Sequence, residues 1–206
     1  MHQPSEILGK AREYVRQLLA DRLPPWVRYH RPEHSSETAS NAMQIGSAMG
    51  LGDQEIEVVE MAAWFHDVGY IDTVEGHEER SVELARKFLT EAGCPADKVN
   101  RVIGCIRATR LPQQPTTIEE QVLCDADLLH LGKENFFDRG DLLKEEIELR
   151  SGVRHDRAEW LRINLEFLKR HPFHTAFARR MYGPQREANI EEVQRRLAGL
   201  SNEDSL

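Results

Sequence analysis

The sequence predicts an all-α protein, and three observations carry that expectation. Apolar residues recur at helical spacing, i, i+3 and i+4, throughout the 206-residue chain. No stretch of useful length alternates apolar with polar residues, as a half-buried strand must. The breaks between periodic segments hold Gly, Pro and capping residues, the punctuation of helices.

The elements follow in order. Ile7, Ala11, Tyr14, Val15 and Leu18 form a first stripe, stopped by Pro24-Pro25. Thr38, Ala42, Ile45 and Met49 form a second, ending in "GLGD". Ile56, Val59, Ala62, Ala63 and His66 line a third, with Gly69 as its expected C-terminal stop. Val82, Ala85 and Leu89, then Val99, Val102 and Ile106, mark two more, separated by "GCPAD". The segment "RLPQQPTT" is the clearest loop, and Thr117 with Glu120 fits a capping box that opens "IEEQVLCDADLLHLG". Beyond Gly132, "DLLKEEIELR", "AEWLRINLEFLKR", "HTAFARRMY" and "ANIEEVQRRLAGL" are all helical in period, and the tail "SNEDSL" is expected to fray.

A chain of this length can bury one substantial core, and one domain is the better prior. Hydrophobic residues are 40%, charged residues 30% and the mean hydropathy is -0.58, an ordinary soluble composition. The net charge of -8 argues against a general nucleic-acid or anionic-membrane surface. No apolar run approaches the ~20 residues of a membrane helix, and "MHQPSEILGK" has no signal-peptide core. Cys94, Cys105 and Cys124 are widely spaced without a C-x-x-C pair, and read as reduced, buried thiols of a cytoplasmic protein.

The chemistry concentrates in histidine and aspartate. About 0.5 His-Asp pairs are expected by chance, and the chain has two, so the dipeptide alone decides little. Context separates them. Asp156 is followed by Glu159 in a capping-box pattern, with His155 ahead of it on the surface. His66-Asp67 instead closes the apolar run "MAAWF", where an uncompensated charge costs several kcal/mol. A metal would supply the compensation. Further donors stand in "YHRPEHSS" (His30, His34), "EGHEERS" (His77) and "CDADLLHLG" (Asp125, Asp127, His130). Asp125 and Asp127 each share a helical stripe with apolar residues, so periodicity does not choose between them.

The order His34, His66-Asp67, Asp127 resembles the H…HD…D signature of the HD superfamily of metal-dependent phosphohydrolases. "PPWVRYHRPEH", "AAWFHDVGY", "IRATRLPQQPTT", "LCDADLLHLG" and "NLEFLKRHPFHTAFAR" look like one subgroup of small HD proteins. The resemblance implies an HD-domain-like helical bundle over residues 1–206, with a metal-site core at about 26–132 and a C-terminal helical extension at about 133–200. It chooses Asp127 over Asp125, and leaves Asp125 to hold His34 or His66 in the right tautomer. It implies metal ligation by His34, His66, Asp67 and Asp127, with one divalent transition metal (Mn, Fe, Co, Ni or Zn) suited to this mixed N/O set.

The expected reaction is hydrolysis of a phosphoester or phosphoanhydride of a small phosphorylated substrate, a nucleotide first among them, by a metal-activated water. Asp67 belongs to the catalytic group, and Glu78 and Asp72 are the candidate proton acceptors. His30, His77, Arg107, Arg110 and Lys133 are the candidate substrate contacts. A homo-oligomer is compatible with this reading. Two departures stand out. Thr109 occupies a region where binuclear members carry further histidine, and Tyr70 stands where many members have Lys in an HD-x-G-K pattern. Both favour one metal over two. The other classes to weigh are an HD-type diiron oxygenase, against which Thr109 counts, and a non-catalytic metal-binding sensor or interaction module, against which the intact four-residue set counts.

Overall fold

The computed structural model describes residues 5–203, and within them every regular element is helical. The chain forms two compact units, one ending at Asp127 and the other beginning at Leu128. The first contains α1 (Glu6–Arg22), α2 (Pro32–Ala48), α3 (Asp53–Phe65), a 3-10 turn (Val68–Ile71), α4 (His77–Glu91), α5 (Ala96–Ala108) and α6 (Ile118–Asp127). The second contains a 3-10 turn (Leu129–Gly132), α7 (Phe136–Ser151), α8 (Arg157–Arg170) and α9 (Ala176–Glu203). No helix among the described residues is long and apolar enough to cross a membrane.

The first unit is organised around α3. Every residue from Ile56 to Phe65 is buried, because α1, α2, α4, α5 and α6 all pack against it. A helix apolar all round belongs inside a core. Its two buried acids are held from the flanks. Ser5 and Lys98 reach Glu57, the latter at 2.9 Å, and Arg12 Nε reaches Glu60 at 2.9 Å, so α1 and α5 are pinned to α3 by charge as well as packing. The cysteines are buried thiols, and burial pushes Cys105 and Cys124 well above the ordinary thiol range.

Three details differ from the sequence expectation. The buried stripe of α1 is Leu8, Ala11, Val15 and Leu19, one position round from the Ile7–Leu18 reading, because two adjacent apolar positions compete at each end. Gly69 does not cap α3; it lies inside the 3-10 turn at negative φ, and its role is close approach. "HTAFARRMY" and "ANIEEVQRRLAGL" belong to one helix, α9, which passes through Pro184 and forgoes a single backbone hydrogen bond there. The turn Leu129–Gly132 packs on α7 and α9. Of the tail expected to fray, the helix reaches Glu203, and residues 204–206 lie outside the described residues.

Both capping boxes form. Thr117 Oγ1 accepts from Glu120 N (3.2 Å) while Glu120 accepts from Thr117 N (3.2 Å). Asp156 and Glu159 reciprocate at 2.8 and 3.1 Å.

Candidate metal centre

Three helix ends meet at one point in the first unit. Pro32 fits the first turn of α2, where its missing N–H costs nothing, and this start places His34 on the buried face. His66 caps the C-terminus of α3, Asp67 follows it, and Asp127 is the last residue of α6. Asn41 Nδ2 donates to Ala126 O at 3.1 Å, tying the end of α6 to α2. The C-termini of α3 and α6 both present carbonyl ends here, which favours a positive charge.

The donor atoms of His34, His66, Asp67 and Asp127 lie within 4.8 Å of one another. His34 Nε2 is 3.3 Å from Asp67 Oδ2 and 3.2 Å from Asp127 Oδ1. His66 Nε2 is 3.0 Å from Asp67 Oδ2, 3.4 Å from Asp127 Oδ1 and 3.3 Å from His34 Nε2. Bonds of about 2.0–2.2 Å to a shared ion put neighbouring donors about 3 Å apart, so these spacings fit one ion.

The tautomer supports the same reading. His66 Nδ1 lies 2.7 Å from Ala63 O, and a carbonyl can only accept, so Nδ1 carries the proton. In a neutral ring Nε2 then offers its lone pair to the two carboxylates, an arrangement that needs a proton or a metal ion between them. The backbone carbonyl thus takes the role expected of Asp125 for His66; Asp125 itself is buried. Electrostatics agrees. Burial opposes charge on His66 and His34, yet Asp67 and Asp127 outweigh it and raise both imidazoles. Burial likewise works to raise the two carboxyls, and the imidazoles override it, holding Asp67 and Asp127 well below the usual range. Two acids and two imidazoles in a buried N/O cluster suit a divalent first-row ion.

Around Asp67 lies a second layer. Its other oxygen, Oδ1, is 3.4 Å from His77 Nε2, and His30 Nε2 is 3.9 Å from Oδ2. His77 Nδ1 donates to Val74 O at 2.8 Å, which again leaves Nε2 toward the carboxylate. Burial would lower the His77 pKa, but Asp67 raises it. Gly69 makes this layer possible: a Cβ there would lie 2.2 Å from His77 O, and Gly69 N–H donates to Ser81 Oγ at 2.9 Å. Tyr70, buried, stacks on His30 with ring centroids 4.0 Å apart and tilts against His77 at 4.4 Å.

The other sequence candidates are placed as follows. Both oxygens of Asp72 accept from guanidinium groups, Arg22 at 2.7 Å and Arg80 at 2.7 Å. Glu78 Oε2 lies 3.7 Å from His77 Nδ1. Arg107 grips Glu79 in a fork at 2.6 and 3.0 Å on the surface, so it is a paired surface cation. Arg110 is exposed in the loop after α5, and its charge helps to lower the Glu79 pKa. Lys133 belongs to the second unit. Thr109 is buried, but its hydroxyl donates to Ile106 O at 2.8 Å in its own helix. Sequence reasoning missed Asn41, Ser81 and the stacking of Tyr70. A polar Asn beside the apolar stripe Thr38–Ala42–Ile45 was the available signal for the first.

Residues 31–132 match the HD domain family. No curated protein matches the chain by sequence. Among solved structures, a predicted HD superfamily hydrolase from an uncultured Thermotogales bacterium is 24% identical, with a TM-score of 0.63 over 94% of this chain and 92% of that one. Bacillus subtilis YpgQ in complex with ADP is 20% identical, with a TM-score of 0.67 over 92% and 93%. A Lactobacillus plantarum protein is 16% identical, with a TM-score of 0.72 over 98% and 100%. At these identities the three likenesses are likenesses of fold.

Proposed function

Because the chain belongs to the HD superfamily, we propose that it is a metal-dependent phosphohydrolase that opens a phosphoester or phosphoanhydride bond of a small phosphorylated metabolite, a nucleotide in the first instance. One observation carries the reading: two imidazole Nε2 atoms and two carboxylates converge within 4.8 Å, with the outer nitrogen of His66 already committed to Ala63 O. Such a set supports ligation of one divalent ion by His34, His66, Asp67 and Asp127. A bound ion of this kind would acidify a water and polarise a phosphoryl oxygen.

The chain's own residues do the rest. Asp67 and Asp127 contribute two negative charges that balance one divalent ion in a buried setting. His77, fixed by Val74 O and tilted against Tyr70, holds a proton at Nε2 beside Asp67 Oδ1 and offers it to a substrate phosphoryl oxygen. His30, stacked on Tyr70, faces the same carboxylate and serves as a second contact. Arg110, exposed in the loop after α5, neutralises an outer phosphate. Glu78, whose Oε2 lies 3.7 Å from His77 Nδ1, takes the proton of the attacking water. The nucleotide reading draws support from the fold shared with YpgQ, a protein described in complex with ADP.

The test is a panel of nucleotides and phosphomonoesters incubated with the protein loaded with Mn²⁺, Co²⁺ or Ni²⁺, following release of phosphate or pyrophosphate. Turnover should be abolished by chelator and by Asp127→Asn. Metal-loaded protein that turns over nothing in the panel would transfer the site to a sensing role.

A further inference from the structure

The second unit holds a cavity of about 380 Å³ between α7, α8 and α9, lined by aromatic, amide and charged side chains. One lining residue is Gly140, buried inside α7 at negative φ. A methyl group there would meet nothing closer than Asn164 Oδ1 at 3.5 Å and Trp160 Nε1 at 4.0 Å, so no steric reason forbids alanine. Glycine in a helix interior costs about 1 kcal/mol relative to alanine. What the missing methyl preserves is the space over those two polar atoms.

Among the described residues neither atom has a protein hydrogen-bond partner. Trp160 is only 7% exposed, and among the described residues its indole N–H donates to no protein acceptor. Asn164 spends its amide N–H on Trp160 O at 2.8 Å, which leaves the carbonyl oxygen available. Arg157 lines the same cavity with no ion-pair partner among the described residues. Lys144, 3.7 Å from Glu148, and Arg196, whose guanidinium lies over Phe137 at 3.7 Å and whose Nε is held by Glu192 at 2.6 Å, add two further cations. Asp141, also on the wall, is the sole acid there. The lining thus gathers three cations against one acid, with Arg157 the cation that no acid pairs among the described residues. A few convergent polar groups over an aromatic wall are the marks of a small-molecule site.

We propose that this cavity binds a phosphate monoester carrying free hydroxyl groups. Arg157, Lys144, Arg196 and the Trp160 N–H suit a dianionic phosphate. Asn164 Oδ1 and Asp141 accept from hydroxyls, and Asp141 disfavours a ligand that is anionic along its whole length. The inference does not rest on the metal centre, whose residues all belong to the other unit.

The test uses the full chain in chelator, titrated by calorimetry with glycerol 3-phosphate, inorganic phosphate and glycerol. Glycerol 3-phosphate should saturate and bind about tenfold more tightly than inorganic phosphate, and glycerol should not bind. Arg157→Gln and Trp160→Phe should each weaken binding by about tenfold. Gly140→Ala should weaken it as much while the melting temperature holds or rises, a combination that a purely structural glycine would not give. No saturation by ~10 mM, equal affinity for inorganic phosphate, or binding unchanged in Gly140→Ala and Arg157→Gln would each overturn the proposal.

Discussion

Replacing Gly69 with alanine probes how the fold builds the second layer of the site. The added Cβ would lie 2.2 Å from His77 O and 3.0 Å from both His77 C and Arg80 Cβ. Ordinary contact begins near 3.4 Å, so the first turn of α4 must retreat by about 1 Å. The obstacle is backbone, which cannot swing aside as a side chain can. Overpacking costs about 1–3 kcal/mol, and this case belongs at the upper end. Weakening the Gly69 N–H to Ser81 Oγ bond adds about 1 kcal/mol. The expected loss is therefore about 3–4 kcal/mol in urea denaturation, or about 6–16 °C in melting temperature for a chain of this size. Metal content should survive, because none of His34, His66, Asp67 and Asp127 lies on α4, whereas turnover should fall as His77 is displaced from Asp67. Gly104→Ala is the control: its Cβ would meet only Glu120 Oε1, at 3.3 Å, so it should be neutral or slightly stabilising. A loss below about 1 kcal/mol for Gly69→Ala, or an equal loss for Gly104→Ala, would refute the close-approach argument.

Asp156→Ala should cost about 0.5–2 kcal/mol by chemical denaturation, from loss of its bond to Glu159 N, with metal content unchanged. His155→Ala should leave turnover unchanged, and loss of metal in that variant would mean that the wrong His-Asp pair had been chosen. Thr109→Val should retain metal and activity, since the hydroxyl serves only Ile106 O; elemental analysis checks it. Stability against pH should change sign with metal. Without metal, His34, His66 and His77 are raised, so their contribution is full below the unfolded imidazole value of about 6.5 and is lost as pH climbs through their folded values. Asp67 and Asp127 are depressed, so theirs is present above about 3.9 and lost as pH falls through their folded values. Melting temperature in chelator should therefore decline above about pH 6.5, while in saturating Ni²⁺ it should hold or rise as protons cease to compete. Matching declines in both conditions would mean that the ion does not bind at the imidazoles.

The helices were legible because burial enforces periodicity: Val82, Ala85 and Leu89 on α4, and Val99, Val102 and Ile106 on α5, all face the core as spaced. Where apolar residues sit side by side, as at Ile7-Leu8 and Leu18-Leu19, the period fits either stripe, and only packing chooses. Gly69 read as a helix stop because glycine has two uses, and the spatial approach of His77 O leaves no trace in local sequence. His66-Asp67 was legible as ionisable groups closing an apolar run, whereas the choice of His34 and of Asp127 over Asp125 came from the resemblance to the H…HD…D signature and not from periodicity. The ion pairs that occupy Asp72 and Arg107 were not legible. Arg22 lies 50 residues from Asp72, and Glu79 lies 28 from Arg107, and both pairings exist only through tertiary contact. The Ala63 carbonyl that orients His66 was invisible for another reason: every residue has such a group, and only the ring's rotamer selects one.

The central claim is that His34, His66, Asp67 and Asp127 hold one divalent ion. The most direct measurement is metal content per chain, with anomalous scattering to locate the ion, in the wild type, Asp127→Asn and Asp125→Asn. The account predicts one ion per chain between the four side chains in the wild type, its loss in Asp127→Asn and its retention in Asp125→Asn. Two ions per chain, or an Asp127→Asn protein that stays loaded while Asp125→Asn is empty, would contradict it.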